Sequence, residues 1–152
     1  MTNLESARQL LAGKRIALVG VSRNEKDFSR MVLRELVKRG HDVVPVNPAA
    51  GGVELDGRRA VARVADAAPS VDGAIFFTAP PQTADAVEEA LAAGVRRVWL
   101  HRGGGPGASS PAALAACRGA GVEPITDLCP FMALPDAGWF HRLHGFFRGH
   151  RH

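Results

Sequence analysis

The sequence predicts one α/β domain with a mainly parallel, doubly wound sheet of five strands and helices on both faces. Short segments rich in Val, Ile and Leu alternate along the chain with segments of helical periodicity. Strands and helices that alternate in this way form parallel sheets covered by helices on both sides. A length of 152 residues, without an internal repeat or a linker, is typical of a single domain.

The strands are predicted from their apolar composition and from the Gly, Pro, Asn and Asp residues that flank them. They are residues 15–21, 42–46, 73–77, 95–100 and 122–126. Apolar residues three or four apart predict the helices, and Gly, Ser or Pro place their ends. The helices are 4–12, Ser29 as N-cap to Gly40, Pro80-Pro81 to Gly94, Ser110-Pro111 to Arg118, and one after Pro135-Asp136. Right-handed crossovers then favour a Rossmann-like topology.

Two regions are less regular. Residues 49–68 predict a turn at Asp56-Gly57-Arg58 and one short helical turn. Residues 136–152 are basic and aromatic, and we expect a helix that packs its aromatic rings against the sheet or a second subunit. The alternatives are a metal site that includes His141 and His144, or contact with a membrane surface.

The charge pattern argues against nucleic acid as a partner. The formal net charge is +4, and Arg142, Arg148 and Arg151 lie beyond the last acidic residue, Asp136, so the body of the chain is nearly neutral. Binding to a phosphate backbone needs several cations clustered on a folded face. The expected partner is therefore a small molecule, with a homodimer or an unknown protein partner left open.

Location and cysteine state follow from composition. No apolar run approaches the roughly 20 residues that span a bilayer, and the first residues do not resemble a signal peptide. We expect a cytoplasmic protein without a membrane partner. Cys117 and Cys129 lack the spacing of a metal site and are expected to be reduced thiols.

The first predicted turn favours a phosphate-bearing ligand. Doubly wound sheets bind ligands beyond the carboxyl ends of their strands, where Gly20 would let a phosphate approach the backbone. Ser29 would add a hydroxyl and a helix N-terminus, and Arg23, Lys26 and Arg30 would add positive charge. A structural turn and a simple helix cap are the alternative interpretation.

A dinucleotide is less well supported than a mononucleotide-like ligand. The turn after the first strand has one glycine where the dinucleotide pattern G-x-G-x-x-G has three. The second strand ends at Asn47-Pro48, without the carboxylate that would hold a ribose.

Four motifs together resemble a known family. They are Ile16–Ser22, Val43–Pro48, Val98–Leu100 and Asp127–Pro130. In order and spacing, this set resembles the stand-alone bacterial CoA-binding domain proteins, which are similar to the CoA-binding domain of the succinyl-CoA ligase alpha subunit. The resemblance covers about residues 13–135.

The resemblance implies a cofactor, coenzyme A or an acyl-CoA, and a set of binding residues. The turn from Gly20 to Arg23 and Ser29 would receive the phosphates, Asn47-Pro48 and Thr78–Pro81 would flank the adenosine, and helix 83–91 would close over it. The binding residues expected are Gly20, Val21, Ser22, Arg23, Ser29, Arg30, Asn47, Pro48, Thr78, Pro80, Val87, His101 and Gly103.

The sequence departs from that family at the pantetheine end and offers no catalytic group. His101 stands where such proteins commonly have glutamine, and the glycine-rich loop after it looks longer than usual. A counterpart of the ligase's phosphorylated histidine loop is missing, as are a Ser-His-Asp arrangement and a carboxylate pair. The sequence thus predicts a binding module that is not an enzyme and holds no metal. The alternatives are an NAD(P)-binding oxidoreductase and a thiol-redox or regulatory partner that uses Cys129.

Overall fold

The computed structural model describes residues 2–67, 71–102 and 107–134 of the chain. Within these ranges the chain forms six strands: β1 (Ile16–Val19), β2 (Val43–Val46), β3 (Glu54–Leu55), β4 (Arg58–Arg59), β5 (Gly73–Phe76) and β6 (Arg97–Leu100). Four of them form a parallel sheet in the order β2-β1-β5-β6, and β3 pairs with β4 as a short antiparallel hairpin. The parallel, Rossmann-like α/β architecture predicted from the sequence is therefore confirmed.

The strand order reverses between β1 and β5. From β1 the chain crosses to β2 on one side and then returns past β1 to β5 on the other side. The strands that follow β1 in the sequence therefore lie on opposite sides of it. Connections that diverge in this way leave a crevice beyond the carboxyl ends of the two strands. The fold thus places its natural ligand-binding position at Val19 and Phe76.

The predicted fifth strand is reduced to one residue in the structure. Ile125 donates from its amide to the Val98 carbonyl at 2.9 Å and accepts from the Leu100 amide at 2.8 Å, as an isolated parallel bridge. Pro124 has no N–H to extend the ladder, and Asp127 turns the chain away with a positive φ of 54°. The described sheet consequently has four strands, where the sequence suggested five.

In the described part of the chain, four helices cover the sheet: α1 (Asn3–Leu11), α2 (Phe28–Lys38), α3 (Pro80–Ala92) and α4 (Pro111–Gly119). Residues of β1 alternate between the two cores. Ile16 and Leu18 pack with α1 and α2, whereas Ala17 and Val19 pack with α3 and α4. All four residues of β1 are buried, which explains why this strand is apolar throughout.

The start of α2 corrects one sequence prediction. The N-cap is Asp27, with extended backbone angles and a carboxylate that accepts from the Ser29 amide, so Ser29 is the second residue of the helix. Ser29 is 1% exposed, so its side chain lies inside the fold and not at an open helix end. Both residue types cap helices, and only the three-dimensional structure distinguishes them.

The irregular region after β2 has the two features expected of it. Asp56 and Gly57 connect β3 to β4 with φ values of 49° and 82°, as the two central residues of a type I′ hairpin turn require. A 3₁₀ turn follows at Val64–Ala67. Within the described residues no helix is long and apolar enough to cross a membrane. The predicted last helix and the tail at 136–152 lie outside the described residues.

Candidate functional site

A cavity of about 600 Å³ lies at the carboxyl ends of β1, β2 and β5, on the side of the sheet that α3 covers. Its position is the crevice that the reversal in strand order creates. The lining residues come from three strand ends, the segment before the 3₁₀ turn, and α3. They are Val19, Gly20, Val46, Asn47, Pro48, Ala49, Ala62, Arg63, Val64, Phe77, Thr78, Ala79, Pro81, Gln82, Asp85, Ala86 and Glu89.

Gly20 is required by the close approach of the strand ends. Its φ is +90°, and a Cβ added there would lie 3.0 Å from the Thr78 side chain and 3.1 Å from the Thr78 amide nitrogen. The Gly20 amide donates to the Val46 carbonyl at 2.8 Å. The glycine therefore lets the ends of β1, β2 and β5 converge on the cavity.

Asn47 shapes the second strand end through its own side chain. Its Nδ2 donates to the Val21 carbonyl at 2.8 Å, and its Oδ1 accepts from the Ala49 amide at 2.8 Å. The first bond ties the turn after β1 to the end of β2, and the second forms an Asx turn that presents exposed Pro48 to the cavity. The Asn47-Pro48 corner predicted from the sequence thus lines the cavity.

Thr78 is bonded to the first turn of α3. The Thr78 and Thr83 hydroxyls share a hydrogen bond of 2.6 Å, and Thr83 also donates to the Ala79 carbonyl. Pro80 and Pro81 occupy the first two helical positions and bring no N–H groups. This helix end consequently offers fewer amide donors to an anion than most helix N-termini.

Three amides of the turn after β1, those of Gly20, Val21 and Ser22, are bonded within the chain. The Val21 amide donates to the Val46 carbonyl, and the Ser22 amide donates to the Ser29 hydroxyl at 2.9 Å. The Ser29 hydroxyl in turn donates to the Asp27 carboxylate at 2.6 Å. A carboxylate of the chain itself therefore sits at the N-terminus of α2, where the sequence suggested a ligand phosphate.

Arg30 is turned away from the cavity and into an ion pair. It is 6% exposed, its Nε donates to the Asp56 carboxylate at 2.7 Å, and its guanidinium also reaches the Arg23 carbonyl at 3.1 Å. Asp56 lies at the tip of the β3–β4 hairpin. Arg30 thereby fixes the turn after β1 against that hairpin.

The other residues expected from the resemblance are spread over several surroundings. Val21 and Val87 are fully buried in the two cores, Arg23 is exposed, and Pro80 is half-buried beside the cavity-lining Pro81. Of the thirteen residues, the cavity lining contains Gly20, Asn47, Pro48 and Thr78. Gly103 lies outside the described residues.

His101 lies on the opposite face of the sheet from the cavity, within an aromatic cluster. Its ring stacks on Phe28 at 5.4 Å between centroids and contacts Phe77 at 4.8 Å. Burial lowers the pKa of His101 to about 4, against a smaller opposing effect of the Asp27 charge. His101 is consequently neutral near pH 7, and Phe77 links it to the cavity because Phe77 lines that cavity as well.

Both cysteines have unreactive surroundings. Burial raises the pKa of the Cys117 thiol to about 11, and burial likewise raises the pKa of the Cys129 thiol. Neither cysteine lines the cavity. Among the described residues, no group of three His, Cys, Asp or Glu side chains could hold a metal ion.

Sequence reasoning missed four polar residues of the lining. Arg63 precedes the 3₁₀ turn, and Gln82, Asp85 and Glu89 lie on α3. The last three follow helical spacing, so the prediction that this helix closes over the site contained the signal for them. The sequence contained no signal for Arg63, because the path of residues 49–68 could not be derived from periodicity.

Fold and cavity together define a Rossmann-like α/β protein with a ligand-sized crevice at the point where its strand order reverses. Residues 14–135 match the model of a family described as the CoA binding domain. The chain belongs to this family. The match spans both the sheet and the lining of the cavity.

Solved structures agree with that assignment. A hypothetical protein from Pyrococcus horikoshii OT3 is 30% identical, with a TM-score of 0.73 over 86% of this chain and 87% of its own. A protein from Thermus thermophilus is 32% identical, with a TM-score of 0.74 over 85% and 93%.

A larger enzyme contains the same fold. A dinucleotide-forming acetyl-coenzyme A synthetase from Ca. Korarchaeum cryptofilum is 22% identical, with a TM-score of 0.64 over 77% of this chain and 26% of its own. At that identity the likeness concerns the fold alone. The resemblance to the succinyl-CoA ligase alpha subunit stays a sequence-based prediction.

Proposed function

We propose that this protein binds coenzyme A or an acyl-CoA as a non-catalytic module, with the nucleotide portion of the ligand in the cavity at the carboxyl ends of β1, β2 and β5. The observation that carries the proposal is the position of this cavity, which lies at the reversal in strand order of a chain from the CoA binding domain family. Crevices at that point are where open α/β sheets bind their ligands.

The lining favours this ligand over a dinucleotide. Asn47 follows β2 at the position where a dinucleotide site has a carboxylate that binds the ribose, and both polar atoms of its side-chain amide are bonded to the chain. The turn after β1 has a single glycine, and that glycine serves the contact with Thr78. Both features support the proposal against the NAD(P)-dependent alternative.

The non-catalytic role is supported by the polar groups that face the cavity. Within the described part of the chain, the lining contains neither a cysteine nor a histidine, and the Thr78 hydroxyl is bonded to Thr83. A nucleophile needs an adjacent base to activate it, and no such pair lies among the described lining residues. We expect bound CoA to leave unchanged.

Isothermal titration calorimetry with CoA, acetyl-CoA, ATP and NAD tests the proposal. Ala86→Leu would fill part of the cavity from α3, since Ala86 lines it, and should weaken CoA binding at least tenfold. Ala92→Leu is the matched control, because Ala92 is exposed on the same helix outside the lining. If Ala86→Leu and Ala92→Leu bind CoA with equal affinity, CoA does not bind in this cavity.

A further inference from the structure

Arg63 is held at the rim of the cavity by anchored neighbours on both sides. Val61 forms a parallel bridge to Val46, accepting from the Asn47 amide at 2.9 Å and donating to the Pro45 carbonyl at 3.0 Å. Val64 is 4% exposed and begins the 3₁₀ turn, whose Asp66 amide donates to the Arg63 carbonyl. The backbone of Arg63 is therefore fixed while its side chain is exposed and lines the cavity.

The guanidinium of Arg63 has no hydrogen bond or ion pair with any residue in the ranges 2–67, 71–102 and 107–134. Three other arginines at this end of the sheet are paired. Arg30 and Arg34 both contact the Asp56 carboxylate, and Arg102 pairs with Asp127 at 3.1 Å. Arg63 is thus a positioned cation whose donors are open to a ligand.

Arg63 brings positive charge to a cavity lining that also contains two carboxylates. Asp85 and Glu89 bring two carboxylates to the lining from α3, and Arg63 is the one cationic side chain among the described lining residues. Carboxylates repel a ligand phosphate, and the amides of Gly20, Val21 and Ser22 are bonded within the chain. An anionic group that enters the cavity would therefore find its strongest partner in Arg63.

We propose that Arg63 determines specificity by binding a phosphate group of the ligand's nucleotide portion. The proposal rests on the proposed function for the identity of the ligand. It replaces the cluster expected from the sequence, since Arg30 pairs with Asp56, and Arg23 and Lys26 lie outside the lining. The phosphate is either the 3′-phosphate on the ribose or the diphosphate, and the two can be separated by ligand choice.

The test compares CoA, 3′-dephospho-CoA, ATP and adenosine on the wild-type protein and on Arg63→Ala and Arg63→Lys, by calorimetry at fixed salt. Arg59→Ala is the matched control, because Arg59 is exposed, lies four residues earlier and does not line the cavity. Charge-assisted hydrogen bonds of this kind correspond to roughly a 10- to 100-fold change in affinity.

We expect Arg63→Ala to weaken CoA by that factor, Arg63→Lys to weaken it less, and Arg59→Ala to leave it within about twofold. Loss with CoA alone assigns the 3′-phosphate, and equal loss with CoA and dephospho-CoA assigns the diphosphate. Unchanged affinity for both, or an equal loss that includes adenosine, overturns the proposal. If the wild type binds CoA no tighter than ATP, the proposed function fails. The effect of Arg63→Ala on ATP binding then still decides whether Arg63 binds a phosphate.

Discussion

The hydroxyl of Ser29 accepts a hydrogen bond from the amide of Ser22 at 2.9 Å. This bond joins the first turn of α2 to the loop after β1 and fills the position where a phosphate-binding loop would offer its amide to the ligand. A hydrogen bond within the chain, and not a ligand, therefore holds this loop in its conformation. The Ser22 amide is therefore not free for a ligand anion, which favours the role we propose for the exposed guanidinium of Arg63.

Replacement of Ser29 by alanine should destabilise the protein by about 1–3 kcal/mol, because it leaves the part-buried Ser22 amide without a partner and removes one of the two hydrogen bonds that the Asp27 carboxylate accepts from Ser29. Ser22→Ala is the control, since the Ser22 hydroxyl accepts a single bond in an exposed loop. Chemical denaturation should show the larger loss for Ser29→Ala. Equal stabilities of the two variants would mean that the Ser22–Ser29 bond contributes nothing.

Replacement of Gly20 by alanine should lower stability more than the same change at Gly94. The φ angle is +90° at Gly20 and +96° at Gly94, so both variants carry left-handed backbone strain of about 1 kcal/mol. Only at Gly20 does the new Cβ meet another segment, within 3.0–3.2 Å of Thr78 and Phe77, whereas nothing lies within 4 Å at Gly94. Thermal unfolding of both variants measures the difference, and a Gly94→Ala variant that is the less stable one would contradict the close approach of β1 and β5.

Acid should destabilise the protein through His101. Its pKa is about 4 in the folded state against 6.5 in the unfolded chain, so the unfolded state binds more protons between those values. The stabilising contribution of neutral His101 is complete above pH 6.5 and is lost as the pH falls toward 4. At pH 5 the free energy of unfolding has fallen by at most about 2 kcal/mol.

The pH dependence of denaturation for wild type, His101→Gln and His41→Gln checks this expectation. His101→Gln should flatten the curve between pH 7 and pH 5. His41 has a lowered pKa too, from burial and from the charge of Arg39, so His41→Gln provides the baseline for a second, more exposed histidine. An NMR titration that places the His101 midpoint near 6.5 would refute its burial among the rings of Phe28 and Phe77.

Both thiols should react slowly at pH 7. Burial raises the pKa of Cys129 and of Cys117, which lowers the fraction of thiolate, the reactive species. Intact-mass measurement after treatment with iodoacetamide should show modification well below that of a small-molecule thiol. An adduct at Cys129 after treatment with oxidised CoA would revive the thiol-redox alternative.

The sequence predicted those parts of the molecule that depend on local pattern. Val-rich segments and helix boundaries predicted the parallel sheet, and the Asp56-Gly57 pair predicted a turn, whereas the two short strands on either side of that turn were not predicted. Composition could not show that Ile125 would form one bridge in place of a strand, because the turn at Asp127 depends on how the chain leaves the sheet.

The cavity was predicted in position and partly in composition. Gly20, Asn47, Pro48 and Thr78 follow strands, so the parallel sheet alone places them at one edge. The partners of Ser29 and Arg30 depend on long-range contacts with Ser22 and Asp56, and Arg63 reaches the cavity through a bridge to β2. Such contacts leave no periodic trace in a sequence.

We propose that the crevice between β1, β2 and β5 binds CoA. Calorimetric titration of the wild-type protein with CoA, ATP and NAD in one buffer tests this proposal. We expect saturable binding of CoA with an affinity at least tenfold higher than for ATP or NAD. Binding of CoA that is no tighter than that of the other two nucleotides would contradict it.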